Sequence, residues 1–166
     1  MSASCSELPL TERPRLHVVL VEPEIPPNTG NVGRLCLATG TRLHLVGPLG
    51  FSLDDRQVRR AGLDYWSRVD CKQWVSLDEL KASAEETAQF WYFTTKAGRP
   101  HWDVSYRAGD YLVFGRETQG LPETLLGREA PNCVTIPMSP EGRSLNLATS
   151  AGIGVYEALR QLSEGG

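Results

Sequence analysis

Arg143-Ser144-Leu145-Asn146-Leu147, read together with Asn28-Thr29-Gly30-Asn31-Val32-Gly33-Arg34, decides how this chain is to be understood. Each segment follows a strand-like apolar run and opens a helix-like run. Each offers hydroxyl, amide and guanidinium groups beside glycine backbone, the groups that hold a ribose or a phosphate. Between them, Phe114-Gly115-Arg116-Glu117-Thr118-Gln119-Gly120-Leu121-Pro122 is a glycine-bracketed loop after a third strand-like run. Three polar loops so widely separated in sequence point to one composite site.

Working outward, Leu16 to Val21 is an apolar, β-branched run of strand character. Pro23, Pro26 and Pro27 then argue against regular structure. A helix is expected from about Asn28, its cap, to Thr39, with Gly40 as its stop. Val32, Leu35, Cys36 and Thr39 share one face at 100° per residue, and Arg34 falls opposite with Gly30 and Asn31. Further strands are expected at Leu43 to Val46, Val69 to Val75, Phe90 to Thr94, Tyr111 to Phe114 and Cys133 to Ile136. A short helix is expected near Asp54 to Ala61. An acidic one is expected over Leu77 to Ala88, capped by Ser76, and a last one over about Asn146 to Leu162. Strand and helix alternate, which predicts an α/β domain built on a mainly parallel sheet. Ligands of such sheets bind beyond the carboxyl ends of the strands, where the loops after Phe93, Phe114 and Ile136 lie.

The 166 residues suit one domain, and 40% hydrophobic with 22% charged residues is ordinary globular composition. The expected division is a flexible extension over 1–14 and a single domain over 15–166. No run reaches the ~20 apolar residues of a membrane helix, and no membrane partner is expected. Cys5, Cys36, Cys71 and Cys133 form no CxxC pair, and His17, His44 and His101 form no ligand triad. Reduced thiols in a cytoplasmic protein without a metal is the resulting expectation. A net charge of −3 disfavours bulk nucleic-acid affinity but leaves room for local patches. Two basic clusters stand out: Arg56, Arg59, Arg60 and Arg68, and Lys96, Arg99, His101 and Arg107.

A dinucleotide site is poorly supported without GxGxxG, and no P-loop is present. Within the candidate loops, Glu117 could accept from a hydroxyl or tie the loop down. Ser144 and Asn146 could serve a ligand or cap the last helix. The turn Ile136-Pro137-Met138-Ser139-Pro140 exposes main-chain groups suited to a base edge. The last helix carries two apolar stripes, Ala148, Gly152, Val155, Leu159 and Leu162, and Leu147, Ala151, Gly154 and Ala158. A helix apolar on two sides is usually buried on two sides, which suggests an oligomer seam.

Together these segments resemble the SPOUT superfamily of RNA methyltransferases, in its tRNA 2′-O-ribose methylating group. The resemblance runs from Leu16 to Leu162. It is closest to the small wobble-nucleotide enzymes at Glu22-Pro23-Glu24-Ile25-Pro26-Pro27-Asn28-Thr29-Gly30-Asn31 and at Arg59-Arg60-Ala61-Gly62-Leu63-Asp64-Tyr65. It implies a C-terminal trefoil knot, a homodimer, and S-adenosylmethionine as cofactor. Cofactor contacts would fall at Phe93, Thr94, Gly115, Ile136, Ser144 and Leu145. Arg34 would be the catalytic arginine, with Asn28, Glu117, Ser144 and Asn146 ordering the site and Tyr156 at the dimer interface. The implied substrate is the wobble nucleotide (position 34, cytidine or a modified uridine) in the anticodon loop of tRNA. Arg56, Arg59, Arg60 and Lys96 are the expected phosphate contacts. The alternatives are another tRNA or ribosomal RNA position, or a non-catalytic RNA- or cofactor-binding module. One departure is Gly33, where the family leads one to expect an aliphatic residue. Glycine costs a helix about 1 kcal/mol relative to alanine, which predicts a loosened Arg34.

Overall fold

The computed structural model describes residues 14–53, 56 and 63–164. The expected extension lies outside these, apart from Pro14, and so does most of the Asp54 to Ala61 segment, where Arg56 alone is described, as helical and exposed. Six strands form one sheet: β1 (Leu16–Val21), β2 (Arg42–Val46), β3 (Cys71–Trp74), β4 (Phe90–Phe93), β5 (Asp110–Phe114) and β6 (Cys133–Val134). Their order is β3-β2-β1-β5-β4-β6, and every pairing is parallel. Strand order reverses between β1 and β5, which opens a crevice beyond their carboxyl ends.

β1 is buried along its whole length because both faces of the sheet are covered. Leu16, Val18 and Leu20 face Val32 and Cys36 of α1 (Pro26–Thr39) together with Ala151 and Val155 of the last helix. Val19 and Val21 face the opposite layer with Leu80 of α2 (Leu77–Ser83) and Leu125 of α3 (Glu123–Arg128). The last helix, α4, spans Leu147–Glu164 and packs beside α1 on the first face. Among the described residues, no helix is long and apolar enough to cross a membrane.

The departures from the sequence reading have local causes. Helix α1 begins at Pro26, not Asn28, and its cap is Ile25. Prolines at the first two helical positions lack the N–H groups a helix start leaves unpaired, so they open the helix they were expected to prevent. Gly40 ends it as expected, with φ 65° and its N–H on the carbonyl of Cys36. Arg34 and Asn31 are exposed, whereas Gly30 is buried. Helix α2 stops at Ser83 because only Leu80 anchors it; Ser76 accepts from the Glu79 N–H at 3.1 Å. β6 ends at Val134 because Thr135 turns aside to receive His101, leaving Ile136 outside the ladder. Helix α3, short and containing Gly127, went unanticipated.

A histidine pair sits toward the far end of β1 and β2. Trp74 Nε1 donates to His44 Nδ1 at 2.9 Å, so the His44 proton resides on Nε2 and is donated to His17 Nδ1 at 2.8 Å. His17 stacks on Tyr111 with ring centres 4.1 Å apart. His17 is 9% and His44 2% exposed. Burial pushes His17 down to about 4 and His44 to about 3, with the Arg42 charge and, for His44, the neighbouring imidazole adding to it. Both are neutral core residues. Cys36, Cys71 and Cys133 are free thiols, raised chiefly by burial.

Candidate active site

A cavity of about 1030 Å³ opens beyond the carboxyl ends of the central strands. Three loops wall it: the one after β4, the glycine-bracketed loop after β5, and the irregular segment between β6 and α4. Phe93 and Phe114, stacked at 4.6 Å, form an apolar wall. Behind them Gly154 of α4 leaves just enough room, since a Cβ there would lie 3.0 Å from the Phe93 ring.

The loop after β5 is closed by paired main-chain bonds between Arg116 and Gly120, at 3.2 and 2.9 Å. Gly120 adopts φ 66°. Gly115 is the tighter requirement: a Cβ on it would lie 2.2 Å from the Gly120 carbonyl carbon. The bracket is therefore a steric demand of the turn, and it leaves main chain facing the cavity.

Helix α1 is tied to this loop. Glu117 accepts the N–H groups of Glu24 at 2.8 Å and Ile25 at 3.1 Å, the last donors before the two prolines. Its carboxylate also sits at the positive end of the α1 dipole. Asn28, buried, reaches Glu117 with Nδ2 at 3.5 Å and accepts Asn146 Nδ2 on Oδ1 at 3.0 Å. Asn146 Oδ1 takes the N–H groups of Ala148 and Thr149, which fixes its orientation and caps α4. The chain Glu117–Asn28–Asn146 thus locks both helix starts at the cavity mouth. Two further straps, missed from sequence, join the same loops: Arg116 pairs with Glu22 at 2.6 Å, and Thr118 Oγ1 donates to Glu24 at 2.7 Å. Glu22, at φ 51°, turns the chain out of β1 to make its pair.

The sequence-derived cofactor residues Phe93, Thr94, Gly115, Ile136, Ser144 and Leu145 all line this cavity. So do Asn28, Glu117, Asn146 and Lys96. Ser144 precedes the cap by two residues and takes no part in it, so its hydroxyl is available to a ligand. Lys96 is held by Glu123 at 2.9 Å in an exposed pair. Arg34 is not among the lining residues; it lies exposed on α1, six residues past Asn28 or about 9 Å of helix rise. Arg56 also lies outside the lining, and Arg59 and Arg60 fall outside the described residues.

Gly33 has a structural reason. A Cβ there would lie 2.5 Å from Trp66 Cζ3, so the indole fills the place of a side chain on α1. The expected loosening of Arg34 is thereby opposed by packing across this notch.

The SpoU rRNA Methylase family model matches residues 15–156. A tRNA (cytidine(34)-2′-O)-methyltransferase of Saccharophagus degradans is 51% identical over 154 residues, covering 90% of this chain and 97% of the relative. A solved structure described as giving insights into the 2-OH methylation of C/U34 on tRNA is 44% identical, with TM-score 0.86 over 90% of this chain and 97% of its own. An AdoMet-bound rRNA methyltransferase from Sinorhizobium meliloti is 25% identical, with TM-score 0.79 over 91% of this chain and 58% of its own.

Proposed function

Because the chain belongs to the SpoU rRNA methylase family, we propose that it transfers a methyl group from S-adenosylmethionine to the ribose 2′-hydroxyl of the wobble nucleotide of tRNA, cytidine or a modified uridine at position 34. One observation carries this reading: the cavity walled by three loops, its mouth held by the Glu117–Asn28–Asn146 chain, in a protein alike to wobble-nucleotide enzymes along nearly its whole length.

The residues present suit the cofactor. The volume is at the upper end for small-molecule sites. The Phe93–Phe114 wall accepts an apolar or aromatic face, and the cleared main chain at Gly115 admits close approach. Irregular backbone at Ile136 and Leu145 offers polar groups outside any ladder. When bound, S-adenosylmethionine would supply an electrophilic methyl group on a sulfonium that departs as a neutral thioether, with the 2′-hydroxyl proton passing to solvent water. The protein's work is to position and desolvate. Ser144 and Thr94 orient through their hydroxyls. A guanidinium only donates hydrogen bonds, so Arg34, which lies outside this chain's cavity, orients the phosphate adjacent to the hydroxyl and does not act as base.

The proposal includes a C-terminal trefoil knot formed around the β4, β5 and β6 loops, a cytoplasmic location, and a single domain over 15–166. It also includes a homodimer that uses α1 and α4. Exposed Tyr156, Ile25 and Leu145 on or beside these helices suit such a seam. A stable one should bury more than ~1,000 Å². Light scattering at micromolar concentration should report a dimer, and a fully active monomer would remove this part.

The test of function is mass-spectrometric mapping of tRNA treated with the protein and S-adenosylmethionine. A 2′-O-methyl group appearing at position 34 is expected; its appearance elsewhere in tRNA or in ribosomal RNA would reassign the substrate. Arg34→Ala should keep cofactor affinity and fold. A charge-assisted hydrogen bond is worth ~1.5–3 kcal/mol, so transfer should fall about 10- to 150-fold. Equal loss of cofactor affinity would instead place Arg34 in the cofactor's own pocket.

A further inference from the structure

Two guanidinium groups from different elements converge on one ring. Arg34 of α1 lies 5.9 Å from the centre of Tyr65, and Arg68 lies 4.8 Å from it. Both are within the range of cation–π attraction. Tyr65 and Arg68 belong to the 3-10 turn Leu63–Arg68, and both arginines are exposed. Among the described residues, neither has a carboxylate partner. Like charges gathered on a surface repel unless something holds them, and here two contacts do. The Tyr65 ring attracts both cations, and Trp66 seats the turn on α1 at Gly33, where a Cβ would meet the indole at 2.5 Å.

We propose that Arg34, Tyr65 and Arg68 form a two-armed site for a phosphodiester of the RNA substrate, with Tyr65 as the residue that positions the two arms. This rests on the RNA methylation reading above. Guanidinium groups present planar, rigid donors suited to phosphate oxygens, and two of them on different elements grip a backbone where one would merely attract it. The site lies along α1, about 9 Å of helix rise past Asn28 at the cavity mouth, within reach of a strand that extends from a ribose held in the cavity. It also gives Gly33 a purpose: the missing side chain admits the indole that sets the turn. In a chain of net charge −3, such a preassembled pair supplies phosphate affinity that bulk charge does not.

The experiment measures binding of unmodified tRNA transcript to the full chain between 50 and 200 mM salt, with cofactor affinity measured in parallel. Arg68→Gln should weaken tRNA binding several-fold at low salt and reduce the magnitude of the salt slope by about 0.7, the release expected per single-strand phosphate contact. Tyr65→Ala should lower affinity comparably although it removes no charge, and Tyr65→Phe should restore it. Gly33→Ala, by displacing Trp66, should behave like Tyr65→Ala. Cofactor affinity should stay unchanged in all four. Wild-type affinity and slope in both Arg68→Gln and Tyr65→Ala would overturn the site. If those variants bind normally while the wild type methylates tRNA, this inference alone fails. If the wild type neither binds nor methylates tRNA, the functional reading fails with it.

Discussion

Gly115→Ala should abolish cofactor binding and methyl transfer while leaving the sheet folded. The added methyl would sit 2.2 Å from the Gly120 carbonyl carbon and 2.3 Å from the Leu121 nitrogen. These are main-chain atoms, so no rotamer change relieves the clash. The paired bonds between Arg116 and Gly120 must open, and the loop must move off its place beside the Phe93–Phe114 wall. Glu117 rides on that loop, so the N–H groups of Glu24 and Ile25 lose their acceptor as well. Wild-type protein should gain about 2.7 kcal/mol of stability from ligand at ~100 times its dissociation constant. The variant should gain nothing at the same concentration, and its transfer rate should fall more than about 100-fold. Calorimetry, thermal melts and circular dichroism separate the outcomes. Near-normal binding in a folded variant would show that the loop is not part of the cofactor pocket.

The sheet was legible because its strands are apolar through and through. Leu16 to Val21 contains a single polar residue, His17, and the run matched β1 residue for residue. The walls of the candidate cavity were legible as the loops after Phe93, Phe114 and Ile136, each following such a run, whereas Asn28 to Arg34, read as one of three polar loops, lies within α1. That Glu117 could tie its loop down was also read, but the partners of the ties were not. Glu117 and its acceptor role for Glu24 are 93 residues apart, and the partners are main-chain groups that leave no residue pattern. Trp66 gives no sign in sequence that it belongs over Gly33, because the contact depends on how the turn packs across α1. Only the start of α1 carried a readable signal that went unused. Adjacent prolines before a helix-like run mark its first turn, since the donors they lack would be unpaired there anyway.

Acidification should destabilise the protein steeply from pH 6.5 downward through the histidine pair. Both imidazoles have folded values below the ordinary 6.5, at about 4 and about 3, so the unfolded chain takes up protons that the folded chain refuses. Their contribution is complete above pH 6.5 and is lost as pH falls toward 4 and then 3. Each proton taken up only by the unfolded chain costs about 1.4 kcal/mol per pH unit. Between pH 6.5 and 5 the pair should therefore remove roughly 3 kcal/mol, since each unfolded imidazole is only half protonated at pH 6.5, and that is a large part of a typical domain's stability. Urea unfolding across this range measures it directly. His17→Gln with His44→Gln should flatten the dependence, even where the variant is less stable at pH 7.5. A wild-type stability that is level from pH 7 to 5 would show that the pair protonates without breaking the chain from Trp74 to His44 to His17.

The Asn28 side chain touches Glu117 on the loop after β5 and Asn146 at the start of α4, while its helix carries Arg34 away from the cavity. On the function proposed above, a ligand that tightens the loop would thereby set the stance of the helix proposed to meet the nucleic acid. Equilibrium linkage runs in both directions: whatever factor the cofactor adds to RNA affinity, RNA returns to cofactor affinity. After transfer, the demethylated cofactor and the methylated strand are new ligands for the same linked pair, so each product's departure depends on the other. The turnover of such a protein is then a question of release order as much as of the methyl step itself.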